Sequence, residues 1–162
     1  MLHELGAADL VATSLAPTDA ERGRASTELC VHLEVYRQTA HAAIAHGHAP
    51  WAVLASWMTD ELRCIDVEGA YYFGSVPVVE CVPATASPKL GEALARVLGD
   101  GPVAIVRGHG VFAVGGTLER AMQRVTSVND SARLYVEARR SGLDVAALSE
   151  KAYLRFDRAR PL

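Results

Sequence analysis

The chain has 162 residues, of which 50% are hydrophobic and 22% charged, and its formal net charge is −3 at pH 7. This composition is globular, and the length suits one domain with a full hydrophobic core, so we expect residues 1–162 to form a single domain. The weak negative charge argues against binding to nucleic acid or an anionic membrane surface, and no apolar run approaches the roughly 20 residues that a membrane helix needs.

The first part of the chain predicts a strand, a loop and a helix. Residues 9–15 are apolar or β-branched, which favours a short strand. Residues 16–25 contain proline, glycine and several charges, so we expect a loop there. Ser26 or Thr27 can then cap a helix that begins at Glu28, an acidic residue of the kind favoured at a helix N-terminus.

A histidine pair follows the apolar run of residues 42–45. If this run is a strand, its side chains alternate between faces, so His46 and His48 project from the same side. Two imidazoles on one face can bind one metal ion without distorting the backbone. The alternative is a pair of ordinary surface or core histidines, and the pair alone does not decide between them. A proline then opens an apolar helix over residues 50–58.

The middle of the chain predicts two strands and a helix. Residues 62–82 alternate short apolar runs with glycine and proline, which indicates a strand, a loop that carries Tyr71 and Tyr72, and a second strand. These tyrosines could donate a proton to a substrate, although loop aromatics more often pack at an interface. A helix is expected over residues 87–98, and residues 99–101 form a turn.

The last third of the chain predicts a tight strand connection and the longest helix. Two buried strands, 103–106 and 111–114, are separated only by a Gly-His-Gly element, so we expect an antiparallel hairpin with His109 near its bend. The long helix covers residues 118–140, and a shorter one covers residues 144–156. Helices alternate with strands, and at least one strand pair is antiparallel, so the sheet should be mixed with helices on its faces.

His109 is a candidate third metal ligand. Its flanking glycines would let the backbone bend and approach a bound ligand closely. Three histidines with a fourth position left open are the pattern of a catalytic zinc site. A cupin would need a glutamate soon after the His-x-His pair, and residues 49–57 contain none. The sequence also lacks a His-Glu-x-x-His, a Walker loop and a Gly-x-Ser-x-Gly motif.

Four segments, in order, resemble the class II aldolase/adducin family. Residues 26–32 (STELCVH) resemble its Ser-x-Glu-x-x-x-His segment, and residues 46–50 (HGHAP) resemble its His-x-His metal segment. Residues 106–115 (VRGHGVFAVG) resemble its Asn-His-Gly segment, and the long helix from Thr117 follows as it does in the family. The resemblance extends from about residue 8 to residue 140.

The resemblance implies a fold, a metal site and a reaction. The fold is an α/β, three-layer α/β/α sandwich with a mixed, largely antiparallel central sheet. The metal ligands correspond to His46, His48 and His109, and the acidic proton shuttle corresponds to Glu28. The expected ion is zinc, with manganese or cobalt as alternatives. The expected activity is that of a lyase, which cleaves or forms a carbon–carbon bond in a small hydroxy-carbonyl or sugar-phosphate-like substrate through a metal-stabilised enediolate.

The assembly and the compartment are also expectations. Family members often form rings, so a homo-oligomer, by resemblance a tetramer, is expected. In such rings a neighbour's C-terminal segment completes the site, a role open to Arg155, Arg158 and Arg160, although a solvated basic tail is the simpler interpretation. Three cysteines without CxxC spacing and the lack of a secretion signal favour reduced thiols in the cytoplasm.

Several alternatives stay open. The same metal site could serve an epimerase, a dehydratase or a decarboxylase, or the chain could be a non-catalytic assembly module like the adducin head. Glu28 taken alone could be a helix N-terminal charge worth about 0.3–1 kcal/mol. His32 could orient Glu28 or a metal ligand, or it could simply pack in the core. Tyr153 is a weaker candidate proton donor.

Two features differ from the family pattern. The family's upstream Gly-Asn and Ser-Gly segments, which bind a substrate phosphate, have no counterpart in this sequence, so residues for that role cannot be assigned. Gly108 stands where the family usually has asparagine, which removes one hydrogen-bonding side chain beside the third histidine. This second difference weakens the aldolase prediction more than the metal prediction.

Overall fold

The computed structural model describes residues 6–155. A turn of 3-10 helix at Ala7–Asp9 precedes seven α-helices and five strands in that range. The helices are α1 (Asp19–Arg24), α2 (Leu29–Gln38), α3 (Pro50–Ser56), α4 (Val67–Tyr72), α5 (Pro88–Asp100), α6 (Leu118–Arg140) and α7 (Val145–Tyr153). The strands are β1 (Ala43–Gly47), β2 (Glu61–Arg63), β3 (Ser75–Val79), β4 (Val103–Val106) and β5 (Gly110–Gly115).

The strands form one sheet in the order β1-β5-β4-β3-β2. The pairs β1/β5, β4/β5 and β2/β3 are antiparallel, whereas β3/β4 is parallel. The predicted mixed, largely antiparallel sheet is therefore confirmed. Strand β1 is an edge strand, and it reaches β5 across more than 60 residues of sequence.

Helices cover both faces of the sheet, which makes the three-layer α/β/α sandwich that the resemblance implies. Helices α2 and α5 pack on one face, while α3, α6 and α7 pack on the other. Strand β4 shows why both faces are apolar: Val103 and Ile105 join one core, and Ala104 and Val106 join the other. Because both faces are covered, β4 and β5 are buried along their whole length.

In the N-terminal region the helix predicted from Glu28 is present as α2, but the predicted strand and loop before it are wrong. Residues 10–15 form no strand, and Leu10 and Leu15 are 71% and 54% exposed, because no neighbouring strand pairs with this segment. The expected loop contains helix α1. Its start is a capping box, in which the Thr18 hydroxyl accepts a hydrogen bond from the Glu21 backbone N–H at 3.3 Å and the Glu21 carboxylate accepts one from Thr18 N–H at 2.6 Å.

The prediction for residues 62–82 is half correct. Strands β2 and β3 are present, but the segment with the tyrosines is helix α4 rather than a loop. The Asp66 side chain caps this helix by accepting a hydrogen bond from Gly69 N–H at 2.7 Å. Helix α5 continues to Asp100, so most of the turn predicted at 99–101 is helical.

Most of the remaining predictions of secondary structure are confirmed, although α3 ends at Ser56 instead of residue 58. Strand β1, the β4–β5 hairpin and the bounds of α6 agree with the sequence patterns. Helix α7 ends at Tyr153, earlier than the predicted end at residue 156, because Leu154 and Arg155 form a turn. Arg158 and Arg160 lie outside the described residues. Within residues 6–155, none of the helices has both the length and the apolar character needed to cross a bilayer.

Candidate metal centre

Strand β1 and the residue after it position the first two histidines. His46 lies in β1 opposite Phe112 of β5, and His48 follows directly after the strand. The two rings meet edge to face, with centroids 4.9 Å apart. The His46 ring stacks on the buried ring of Phe112, with centroids 4.0 Å apart, so Phe112 fixes one face of the imidazole. The predicted placement of both imidazoles on one side is therefore what the structure has.

The turn between β4 and β5 positions His109. Gly108 adopts a left-handed φ of +70°, which favours glycine, and His109 N–H donates to the Val106 carbonyl at 3.0 Å to close the turn. The turn is fastened to the end of α3, because the Ser56 hydroxyl accepts a hydrogen bond from Gly108 N–H at 3.0 Å. The guanidinium of Arg107 donates to the Ser56 carbonyl and pairs with two acidic side chains, those of Asp60 and Glu80.

The three histidines converge. One ring nitrogen from each of His46, His48 and His109 lies within 4.8 Å of the other two. The Nε2 atoms of His48 and His109 are 3.2 Å apart, and the His46 and His109 rings have centroids 4.7 Å apart. His109 is far from the other two histidines in sequence, so local structure does not bring the three together. The pairing of β1 with β5 does, because β5 begins directly after His109.

His46 has a nitrogen that lacks a partner. Its Nδ1 lies 3.0 Å from the Val111 carbonyl oxygen, so Nδ1–H is the donor and Nε2 carries the lone pair. That Nε2 is buried, and no hydrogen-bond partner for it exists within residues 6–155. A buried polar atom without a partner is costly, and a metal ion would supply one. The donor set therefore fits a divalent ion.

Burial keeps His46 neutral. Desolvation is the main cause that lowers the pKa of His46, from 6.5 to about 4, and the nearby His109 and His48 lower it further. The hydrogen bond to Val111 and the negative charge of Glu28 act against this lowering. Near pH 7 the ring is therefore neutral, which is the form that binds a metal ion.

Glu28 lies beside the histidines. It is the residue immediately before α2, its side chain makes no capping hydrogen bond, and it is only 7% exposed. Its Oε1 atom is 4.0 Å from Nε2 of His109. The same oxygen accepts hydrogen bonds from the Thr85 hydroxyl and from Ala86 N–H, the latter at 3.1 Å. The carboxylate thus faces the site instead of the helix end.

His32 is a buried neighbour of the same group. Its ring meets Phe112 edge-on at 6.0 Å, and its buried Nε2 has no hydrogen-bond partner within the described range. Burial lowers the pKa of His32, and the charge of Glu28 opposes this effect. The structure therefore places His32 in the core beside the site rather than among the converging nitrogens.

The other candidates lie elsewhere. Tyr71 and Tyr72 pack against each other on α4 with centroids 5.2 Å apart, and with Arg120 and Arg124 they line a separate cavity. Tyr153 lines another cavity, at the opposite edge of the sheet beside β2.

Sequence reasoning missed the residues that hold the site from outside. Thr85 and Ser56 carry no motif, and each acts on a residue more than 50 positions away. Phe112 sits in an apolar run that indicates only a buried strand. Among these supporting residues only Arg107 could have been found from the sequence. It is a charged residue directly after a buried strand, and such a residue needs charged or polar partners.

Comparison with known proteins gives one family. The sequence profile described as Class II Aldolase and Adducin N-terminal domain matches residues 1–136. The 3,4-dihydroxyphthalate decarboxylase of Rhodococcus jostii is 33% identical over 129 residues, which cover 75% of this chain and 53% of that protein. The L-fuculose phosphate aldolase of Methanococcus vannielii is 26% identical over 114 residues, covering 70% of this chain and 61% of that protein.

Solved structures give the same fold. The l-fuculose-1-phosphate aldolase of Thermus thermophilus superimposes with a TM-score of 0.77 at 32% identity, covering 83% of this chain and 71% of that chain. An aldolase II superfamily protein from Pseudomonas syringae shares the fold with a TM-score of 0.71 at 21% identity, covering 92% of this chain and 65% of that chain. The chain spans about half the length of the decarboxylases that it matches.

Proposed function

Because the chain belongs to the class II aldolase and adducin N-terminal domain family, we propose that it is a metal-dependent lyase acting on a carbon–carbon bond of a small oxygenated substrate. His46, His48 and His109 hold a divalent ion, with zinc as the expected metal, and Glu28 moves protons. The observation that carries this proposal is the convergence of three imidazole nitrogens within 4.8 Å, with a buried carboxylate oxygen 4.0 Å from one of them.

The separation of one pair of these nitrogens matches the spacing expected at a zinc ion. Zinc binds histidine nitrogen at about 2.0–2.1 Å, so two ligands of a tetrahedral site lie about 3.3 Å apart. The Nε2 atoms of His48 and His109 are separated by 3.2 Å. Three protein ligands leave at least one coordination position for substrate or water, which is the arrangement of a catalytic rather than a structural site.

The chemistry divides between the ion and Glu28. A divalent ion bound there supplies positive charge beside substrate oxygens that become negative as a carbon–carbon bond breaks. The carbon that keeps the electron pair of that bond must then gain a proton. Glu28 is buried and adjacent to the histidines, so it can deliver this proton and be reprotonated by a substrate hydroxyl or by solvent. The buried ring of Phe112 lies against the rings of His46 and His109.

A second substrate class is favoured by specific observations. Relatives at 30–33% identity act on 3,4-dihydroxyphthalate, an aromatic acid with two adjacent hydroxyl groups. The indole of Trp57 is 66% exposed, yet it packs on Gly108, one residue from His109. A flat aromatic surface beside the ligands suits a ring substrate. Decarboxylation of a dihydroxylated aromatic acid would use the same ion and the same proton from Glu28.

Metal analysis and a two-substrate assay test the proposal. Protein purified without chelator should contain about one divalent ion per chain, measured by plasma mass spectrometry. It should turn over 3,4-dihydroxyphthalate or L-fuculose 1-phosphate, and a chelator should abolish the activity until metal is restored. His109→Ala should lose both metal and activity. The control is His41→Ala, since His41 contacts the Leu98 carbonyl away from the cluster.

A different outcome would favour an assembly module. If the protein takes up no zinc, manganese or cobalt on titration and turns over neither substrate, the proposed enzyme activity is contradicted.

We also propose that the chain is one domain and a cytoplasmic homo-oligomer, with the tetramer as the expected size. Size-exclusion chromatography with light scattering measures the size of the oligomer directly, and a monomer would contradict the proposed assembly.

A further inference from the structure

A short loop holds the Glu28 carboxylate. Residues 82–87 lie between β3 and α5, and they bring two donors to one oxygen of Glu28. The Thr85 hydroxyl donates to Oε1, and Ala86 N–H donates to the same atom at 3.1 Å. The second oxygen, Oε2, is buried and has no hydrogen-bond partner within residues 6–155. The two oxygens of this carboxylate are therefore in unequal environments.

The loop adopts a costly conformation to do this. Ala86 has a φ of +49°, in the left-handed region that a residue with a Cβ rarely occupies. Such a conformation persists only where surrounding contacts stabilise it, and it is found preferentially at functional sites. On its C-terminal side the loop is fixed by Ser87, whose hydroxyl caps α5 by accepting from Leu90 N–H at 3.1 Å. The strained residue thus directs its N–H at Glu28.

We propose that Thr85 is a positioning residue, which together with Ala86 N–H fixes Oε1 of Glu28 and so holds the carboxyl group beside His109, where it exchanges a proton with the substrate. This rests on the proposed function, in which Glu28 carries the proton. The proton passes from the Glu28 carboxyl group to the carbon that holds the electron pair of the broken bond, forming a carbon–hydrogen bond and a carboxylate. Two donors on one oxygen also prevent the carboxyl group from rotating, so the group keeps its place beside His109.

The side chain of Thr85 offers a clean test. Thr85 is exposed, so a change there should disturb folding little. Thr85→Val keeps the shape and removes the hydroxyl donor, whereas Thr85→Ser keeps the donor. We expect Thr85→Val to lower kcat about 10–100-fold with unchanged KM and metal content, as is typical when a partner that orients a functional group is lost. Thr85→Ser should restore most of kcat.

Controls separate positioning from structure. Thr126→Val removes a hydroxyl that bonds only to its own helix, at the Met122 carbonyl, and should leave kcat unchanged. Urea unfolding of Thr85→Val should match the wild type. If the role of Thr85 were purely structural, Thr85→Val would shift the unfolding midpoint. Thr85→Ser would then not restore kcat independently of stability.

The outcomes are distinguishable. Full kcat in Thr85→Val, combined with an inactive Glu28→Gln variant, would overturn the positioning role and leave the proposed function intact. A raised KM with unchanged kcat, or a loss of metal, would also overturn it. Activity in both Thr85→Val and Glu28→Gln would mean that Glu28 does not carry the proton, which contradicts the proposed function itself.

Discussion

Gly110→Ala is the sharpest test of how the site is built. Gly110 is the first residue of β5, next to His109, and β5 pairs there with the end of β1. A Cβ at Gly110 would lie 2.6 Å from the Gly47 carbonyl oxygen and 3.1 Å from Cε1 of His46. Gly47 separates His46 from His48, so the added methyl group would push directly on the backbone that carries both ligands.

The magnitude follows from these distances. Carbon–oxygen contacts between neighbouring strands are normally about 3.3–3.6 Å, so β1 and β5 must separate by about 0.7 Å or more. The contacted atom is backbone in a paired strand and cannot swing aside. Overpacking of this kind costs about 1–3 kcal/mol, and we expect the upper end. Because functional groups must stay within about 0.5 Å of their productive positions, metal affinity should fall at least about tenfold.

Two measurements on matched variants check this expectation. Urea unfolding gives the change in the free energy of unfolding, and competition with a chromophoric chelator gives the zinc affinity. Gly116→Ala is the control, since a Cβ there would meet nothing within 4 Å. It corrects for the reduced freedom of the unfolded chain when glycine becomes alanine. If Gly110→Ala matched Gly116→Ala in both stability and zinc affinity, the close approach of the two strands would not be what positions the histidines.

Two further predictions concern the histidines and the turn. Metal-free protein should lose stability as pH falls from about 6.5 to 4, because the folded pKa of His46 is about 4 and the unfolded ring takes up its proton first. The loss should be about 1 kcal/mol at pH 5 after allowance for partial exposure, measured by urea unfolding in chelator, and His46→Gln should remove it. Gly108→Ala should be destabilised by a left-handed φ, about 1–2 kcal/mol, and by a clash of the added methyl group with the Trp57 indole. Adding Trp57→Ala should restore only the stability lost through the clash with the indole. If it restored all of the lost stability, the backbone at residue 108 would not be strained by alanine.

The features that sequence predicted well have short-range causes. The His-x-His pair lies on a strand because its apolar neighbours and the period of two are local. The hairpin at His109 follows from two apolar runs separated by a glycine-flanked turn. The pairing of β1 with β5 is different, since no pattern in either strand selects a partner more than 60 residues away. The order of the family's motifs predicted that the three histidines share one site, but it did not predict which strands pair to bring them together.

The failures also have physical reasons. Residues 9–15 have β propensity, but a strand requires a hydrogen-bonded neighbour, and β1 and β2 are the edge strands of the sheet without using this segment. Helix α4 was missed because its glycine suggested a loop, although Gly69 supplies the N–H that the Asp66 cap accepts from. Thr85 had no local signature at all. Its role exists only because its hydroxyl meets a carboxylate 57 residues earlier in the chain.

The acid and the metal ligands are positioned by different parts of the sandwich. Glu28 and its holding loop depend on the contact between α2 and α5. At that contact a Cβ on Gly91 would lie 2.6 Å from Cβ of Glu34 and 3.3 Å from Cα of Val31, so the two helices touch closely. The histidines depend instead on the β1–β5 pair and on the hairpin fastened to α3. Since separate contacts hold the two sets of residues, a change in the α2–α5 contact should alter the proton step while metal binding persists. A change between β1 and β5 should do the reverse, and this asymmetry is what separates a two-part catalytic site from a histidine cluster that merely stabilises the fold.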